Sequence, residues 1–363
     1  MTALARAELQ GACVRLIWRD GFEASFVAAW LLDNAPAARL PSGQRLRTAA
    51  SLAAAGELID AAVTPDSIRF IFEHDAVAWS VDALRAHAAP QSDATRSLWP
   101  LGKTIADRPS ISYAAYIQDD SALRSALAEV DEFGLVRLSG AGADLDELER
   151  TVARFGFIRE TNYGRLFEVR VAPDPDNLAF TAQALEPHTD NPYRDPAPTL
   201  QLLHGIRDAG GGATTFIDGF ALAESFREAH PEDFARLATH SVPFAFTSAK
   251  GERFEARTPV IRTTPDGAVC GIRFNHRSLA PVPFAATDAA AWYKSYINFA
   301  HAADAPERRL AIVLQPGDIV LFDNERILHG REAFLGRFDR LLRGCYADRD
   351  ALRATLARLD RAA

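Results

Sequence analysis

The chain has 363 residues, 48% of them hydrophobic, with 48 Asp and Glu against 40 Lys and Arg and a formal net charge of −8. That balance suits a globular protein with one large domain and a smaller one attached, and it leaves no broad basic surface for a nucleic acid partner. No run approaches the roughly 20 apolar residues of a membrane span, and the N-terminus lacks the apolar core and cleavage site of a secretory leader, so a cytoplasmic location is expected.

Residues 12–33 begin with a short alternating strand, turn at Asp20-Gly21 and run through a second apolar segment into a helix-like Trp30-Leu31-Leu32. A weaker echo in the same order, ending in Trp79, starts at Ser67. Together they predict a small α+β domain over residues 1–92. The polar, proline-bearing stretch 88–97 reads as a linker. Leu123, Leu127 and Val130 then recur at helical spacing, and Gly134 opens a strand at Leu135. A second amphipathic helix is predicted from Asp144. Beyond it, short strands alternate with Pro and Gly turns as far as Asp348, with helical insertions around 220–240 and 285–300. An α+β fold is expected, in which residues 100–363 form a double-stranded β-helix, or jelly roll, with helices packed outside.

The chemistry is concentrated at Glu186-Pro187-His188-Thr189-Asp190. In a strand, residues two apart share a face, so His188 and Asp190 would project together. An imidazole and a carboxylate completed by a distant second histidine form the facial set of non-haem Fe(II) oxygenases. His329 is the candidate third ligand. A lone H-x-[DE] is weak, because nine histidines yield about one match by chance. His230-Pro231-Glu232 is such a match, but it lies at an interhelical corner where proline opens the next helix, and it is read as structural. Context favours His188: an extended segment precedes it, and Arg340 lies at a suitable place after His329. In strand register Arg340, Leu342, Gly344 and Tyr346 share a face, so an arginine and an aromatic would flank a gap left by glycine. A guanidinium there could grip the distal carboxylate of 2-oxoglutarate through two parallel hydrogen bonds. The competing reading is a solvent-exposed edge arginine.

These motifs resemble those of the gamma-butyrobetaine dioxygenase family of Fe(II)/2-oxoglutarate oxygenases. The similarity covers Trp18-Arg19-Asp20-Gly21 with Trp30 to Asn34, Asn162-Tyr163-Gly164, Asn177 to Thr181, the His188 block with Gln201 to His204, Gly211-Gly212 with Phe216 to Phe220, Asn324 to Gly330, and Arg340 to Asp348. The resemblance implies that His188, Asp190 and His329 hold iron, that Arg340 binds the distal carboxylate of 2-oxoglutarate, and that Asn177 and Leu203 lie near that cosubstrate.

Substrates in this family are typically small trimethylammonium zwitterions. A quaternary ammonium donates no hydrogen bond, so its natural receptor is a set of aromatic faces. The family's cage positions fall on Tyr163, Phe167, Phe180 and Tyr346, although aromatics in strands more often serve as core. Asn191, Tyr193 and Asn275 offer donors to the anionic end, with Asn275 matching a family carboxylate-binding position. Arg277 would suit a dianionic phosphonate at least as well, and similar bacterial relatives hydroxylate 2-trimethylaminoethylphosphonate. Its bland alternative is a solvent-exposed or acid-paired side chain.

Many family members carry a cysteine cluster after the Trp30 segment, forming a structural zinc site. This chain has Cys13, Cys270 and Cys345, far apart in sequence, and His74 as the one matching histidine. One imidazole cannot make a tetrahedral site, so no structural zinc is expected, and packing of Trp18, Trp30 and Trp79 should hold the small domain. The resemblance therefore implies a hydroxylase using 2-oxoglutarate and O2, with homodimerisation carried over. A non-enzymatic ligand binder or sensor, a metal-dependent hydrolase, and an oxygenase of another amine or amino acid are the alternatives.

Overall fold

The computed structural model describes residues 3–88, 96–100, 110–144, 146–170, 183–207, 212–248, 250–333 and 340–362. Two compact units divide the chain, Met1–Ala94 and Thr95–Ala363. Residues 89–95 of the expected linker lie outside the described residues.

In the first unit, β1 (Leu4–Gln10), β2 (Cys13–Trp18) and β3 (Glu23–Val27) form an antiparallel sheet that leads into α1 (Ala28–Asp33). The pattern repeats as β4 (Leu58–Val63), β5 (Ser67–Phe72), β6 (Ala76–Ser80) and α2 (Val81–Ala88). The echo in the sequence is thus a repeated three-strand-and-helix module. In β2 and β5, alternate side chains face one buried cluster that includes Leu16, Trp18, Phe70 and Trp79. Trp30 stacks on Trp79 with ring centroids 5.3 Å apart, and Trp79 Nε1 donates to Leu31 O at 2.9 Å. The indole donor is therefore satisfied where it is buried.

The second unit opens with β7 (Ile111–Ser112), α3 (Tyr113–Gln118), α4 (Asp120–Phe133), β8 (Leu135–Ser139), α5 (Glu147–Ala153) and β9 (Phe167–Arg170). Next come β10 (Leu185–His188), β11 (Leu200–Arg207), β12 (Thr214–Asp218), α6 (Gly219–Ala229) and α7 (Pro231–Thr239). Two hairpins follow, β13 (Val242–Thr247) with β14 (Arg253–Thr258), and β15 (Ile261–Thr263) with β16 (Val269–Ile272). The unit closes with α8 (Ala286–Ala303), β17 (Leu310–Ile312), β18 (Ile319–Asp323), β19 (Ile327–Arg331), β20 (Leu341–Ala347) and α9 (Arg349–Ala362). His230 and Pro231 occupy the corner between α6 and α7, with Pro231 in the first turn of α7.

A six-stranded sheet, β7-β8-β18-β11-β20-β9, faces a four-stranded sheet, β10-β19-β12-β17. One cluster joins them: Leu203, Phe322 and Leu342 from the larger sheet pack with Phe216, Leu310 and Ile327 from the smaller. Strand alternation sends Leu202, Leu321 and Cys345 to the other face, against Leu123, Leu127 and Val130 of α4 and Leu352 of α9. Each fully buried Leu contributes roughly 1.5–3 kcal/mol. This explains why β18 opens as the continuous apolar run Ile319 to Phe322 and why β11 is buried from Leu200 to Ile206, its polar Gln201 and His204 included: both of their faces are covered. Asp119 caps α4 through Ser121 N–H at 2.8 Å, and Gly134 ends it at φ +85°, where an L side chain would be strained. No helix among the described residues is long and apolar enough to cross a membrane.

Candidate metal centre and ligand cavity

β10 pairs with β19 so that His188 lies directly opposite His329, and their rings sit 4.4 Å apart. β10 stops at His188. Asp190 therefore does not share a strand face with His188, as strand alternation predicted. It lies in the bend after the strand, followed by Asn191 at φ +51°, and the bend returns its carboxylate to the histidines. His188 Nε2 is 3.4 Å from Asp190 Oδ1, and His329 Nε2 is 3.7 Å from Oδ2.

The donor set fits a divalent transition metal. Ligand atoms of His188, Asp190 and His329 all lie within 4.8 Å of one another, and the 3.4 and 3.7 Å separations between each imidazole and the carboxylate are ones that pairs of bonds of roughly 2.1 Å can bridge. His188 Nδ1 sits 2.8 Å from Glu186 O, so it carries the proton and leaves Nε2 as the ligand atom. Burial, then the neighbouring His329, depresses His188 to about 4 and keeps its ring neutral. Burial alone would raise Asp190, but the two imidazoles outweigh it and hold the carboxyl well below its usual range.

Further contacts fix this carboxylate. Gln201 Nε2 donates to Asp190 Oδ2 at 3.0 Å, and the Tyr346 hydroxyl donates to the same oxygen at 2.9 Å. Asn324 clamps the Asp190 peptide, accepting from its N–H at 2.8 Å and donating to its carbonyl at 3.0 Å. Gln201 and Asn324 both fell within recognisable motifs, yet their role was not legible. It depends on strand pairing and on a turn 134 residues away.

The centre opens into a cavity of about 380 Å³. Of the two described cosubstrate candidates, Leu203 lines it and Arg340 enters from the residue before β20. Arg340 is 5% exposed, which removes the solvent-edge reading, and its Nη2 donates to Gly212 O at 3.1 Å. Asn177 lies outside the described residues. Arg331, two residues past His329, is a cavity residue that sequence reasoning missed. Burial, then Arg340 and Arg277, lowers it to about 10, so cationic charge accumulates along this wall.

Aromatic rings form another part of the lining. Phe167 stacks on Tyr346 at 5.1 Å, Tyr163 lies 6.4 Å from Phe167, and Phe246 of β13 stacks on Tyr193 at 5.0 Å. Phe246 was not anticipated, and no signal set it apart from a core residue of a strand. Phe180 lies outside the described residues. The expected gap beside Gly344 is filled: a Cβ there would fall 2.3 Å from Phe167 Cζ, so the glycine seats the Phe167 ring instead of leaving space for a dicarboxylate.

The expected anion donors divide. Tyr193 belongs to the aromatic wall, and its hydroxyl donates to Asn191 Oδ1 at 2.8 Å; burial raises its pKa, so it stays protonated. Asn191 Nδ2 is buried without a partner among the described residues. Asn275 uses one amide proton on Thr189 O at 3.1 Å. Arg277 lines the cavity while exposed, and no acid among the described residues pairs with it.

A family model described as "Taurine catabolism dioxygenase TauD, TfdA family" matches residues 97–346. A gamma-butyrobetaine dioxygenase of Pseudomonas sp. (strain AK-1) is 33% identical over 376 residues, covering 99% of this chain and 97% of its own length. The human gamma-butyrobetaine dioxygenase is 26% identical over 362 residues, 94% of this chain and 93% of that one. Among solved structures, the non-heme iron oxygenase OrfP in complex with Fe and alpha-ketoglutaric acid aligns with a TM-score of 0.50 at 16% identity, over 66% of this chain and 87% of that one. That likeness shows a shared double-stranded β-helix.

Proposed function

The chain belongs to the taurine catabolism dioxygenase TauD, TfdA family and is an iron- and 2-oxoglutarate-dependent dioxygenase related to gamma-butyrobetaine dioxygenase, and on that premise we propose that it hydroxylates an aliphatic carbon of a small trimethylammonium zwitterion. One observation carries the substrate: the cavity that holds His188, Asp190 and His329 is lined by the aromatic side chains of Tyr163, Phe167, Tyr193, Phe246 and Tyr346, and by Arg277. Aromatic faces attract a cation that cannot donate a hydrogen bond, by roughly 0.5–2 kcal/mol per contact. Arg277 supplies a charge for the opposite end.

In this reading His188, Asp190 and His329 hold Fe(II), and Arg340 binds the distal carboxylate of 2-oxoglutarate in the cavity that Leu203 also lines. Iron with 2-oxoglutarate and O2 supplies the oxidising power to hydroxylate an unactivated C–H bond. The side chains orient the substrate: the aromatic wall fixes the ammonium, Asn191, Asn275 and Arg277 fix the anion, and the carbon between them faces the metal. The bound ligand excludes water from the cavity. No side-chain acid or base is needed.

Gamma-butyrobetaine and 2-trimethylaminoethylphosphonate both satisfy this pattern. The guanidinium of Arg277, with which no acid among the described residues pairs, favours the more highly charged phosphonate as the second reading. Succinate release by the Fe(II)-loaded protein, with each compound and with a His188→Ala control, tests the proposal. Stimulation by one compound names the anion. Absence of stimulation by both, with 2-oxoglutarate still bound, excludes the quaternary-ammonium substrate.

A further inference from the structure

Gln201 of β11 and Tyr346 of β20 are directly paired across the sheet, and both aim a donor at one oxygen of Asp190. Neither is free to turn away. Gln201 is 2% exposed and Tyr346 3%, and the Tyr346 ring is packed against Phe167. A carboxylate oxygen only accepts, so the Tyr346 hydroxyl is the donor of this bond.

We propose that Gln201 and Tyr346 are a cross-strand positioning pair that saturates Asp190 Oδ2 and reserves Oδ1, the oxygen nearer His188, for the metal. The physical reason is the geometry of the carboxylate. Two charge-assisted hydrogen bonds to one oxygen fix the rotation of the group about its last bond and draw charge toward that oxygen. A carboxylate without them could turn and present both oxygens to the ion. Asp190 Oδ1 is 3.4 Å from His188 Nε2 and receives no hydrogen bond from either residue of the pair.

Tyr346 also joins two parts of the cavity. Its ring faces Phe167 in the aromatic wall while its hydroxyl holds the metal-side carboxylate. A ligand that presses on the ring therefore acts on the orientation of Asp190 through a single rigid side chain, and contacts at the aromatic wall are coupled to the metal centre.

The inference rests on the assignment of His188, Asp190 and His329 as metal ligands, and Mn(II) binding to the metal-free protein tests it without turnover. Tyr346→Phe keeps the ring and removes only the hydroxyl; Gln201→Leu removes only the amide. Each variant is expected to weaken Mn(II) about 10- to 100-fold by calorimetry, to change the visible spectrum of the Co(II) form, and to leave the melting temperature of the metal-free protein within a few degrees. Because the two donors share one acceptor, the double variant should lose less than the product of the single effects. Affinities within twofold of wild type in both single variants, or a fall in metal-free stability with affinity unchanged, would overturn the pairing alone. Failure of the wild-type chain to bind Mn(II) would overturn the ligand assignment with it.

Discussion

Asn324 holds Asp190 at both ends of its residue: the amide oxygen accepts from Asp190 N–H at 2.8 Å and the amide nitrogen donates to Asp190 O at 3.0 Å. The same nitrogen donates to Pro198 O at 2.9 Å, and Asn324 is 1% exposed. A residue in the turn between β18 and β19 thus shapes the bend after β10, where strand pairing gives no support. Truncation in Asn324→Ala leaves three backbone groups short of partners, each worth about 1–3 kcal/mol when buried. A stability loss of about 2–4 kcal/mol is expected in urea unfolding, together with weaker metal binding. Loss of stability without loss of metal affinity would show that the bend forms without this clamp.

A second buried junction joins α6 to the start of β19. Arg326 makes a two-pronged pair with Asp218 at 3.0 and 2.7 Å, both side chains are 1% exposed, and Arg326 also donates to Ser97 O and Glu132 O. Removing one partner strands the other charge in the interior. Arg326→Ala is expected to destabilise the unit by about 3–5 kcal/mol. Replacing both residues by apolar ones should cost less than either single change. Urea unfolding of the cycle measures this, and an additive double variant would contradict it.

Gly344 sets the position of an aromatic face. The Cβ in Gly344→Ala would lie 2.3 Å from Phe167 Cζ and 2.5 Å from Cε2, so the ring must leave its stack on Tyr346. The expected result is a KM for the trimethylammonium substrate raised about tenfold, which is about 1.4 kcal/mol and within the range of a desolvated cation–π contact. The KM for 2-oxoglutarate should change much less. Equal changes in the two would assign Phe167 to the cosubstrate instead.

The fold also carries an alkaline limit. Burial, then the hydrogen bond to Glu147, pushes the Tyr113 hydroxyl up to about 12, from an ordinary value of 10. Its protonated form is favoured by folding, so the associated stability is complete below pH 10 and is lost as pH rises through 12. In Tyr113→Phe the fall of stability between pH 10 and 12 should be shallower by up to one proton, about 1.4 kcal/mol per pH unit. Parallel curves for variant and wild type would remove Tyr113 from this role.

The sequence alone determined what local periodicity and motif order encode. The alternation of β2 and β5, the helical spacing of Leu123, Leu127 and Val130, and the separation of His188, His329 and Arg340 all follow from residue types along one chain. They led to the jelly roll and to an iron oxygenase. The tertiary structure decided which distant residues meet. Gln201 and Tyr346 meet at Asp190 because β11 and β20 pair in one register, and a slip of β20 by a single residue would turn Tyr346 to the helical face. Asp190 turns back to the histidines through a bend clamped by Asn324, against the simpler rule of strand alternation. Phe167 occupies the space beside Gly344 because β9 adds to the edge of the sheet. Pairing partners far apart in sequence leave no local periodic trace, since each strand's pattern records only which face is buried and not which side chain stands opposite.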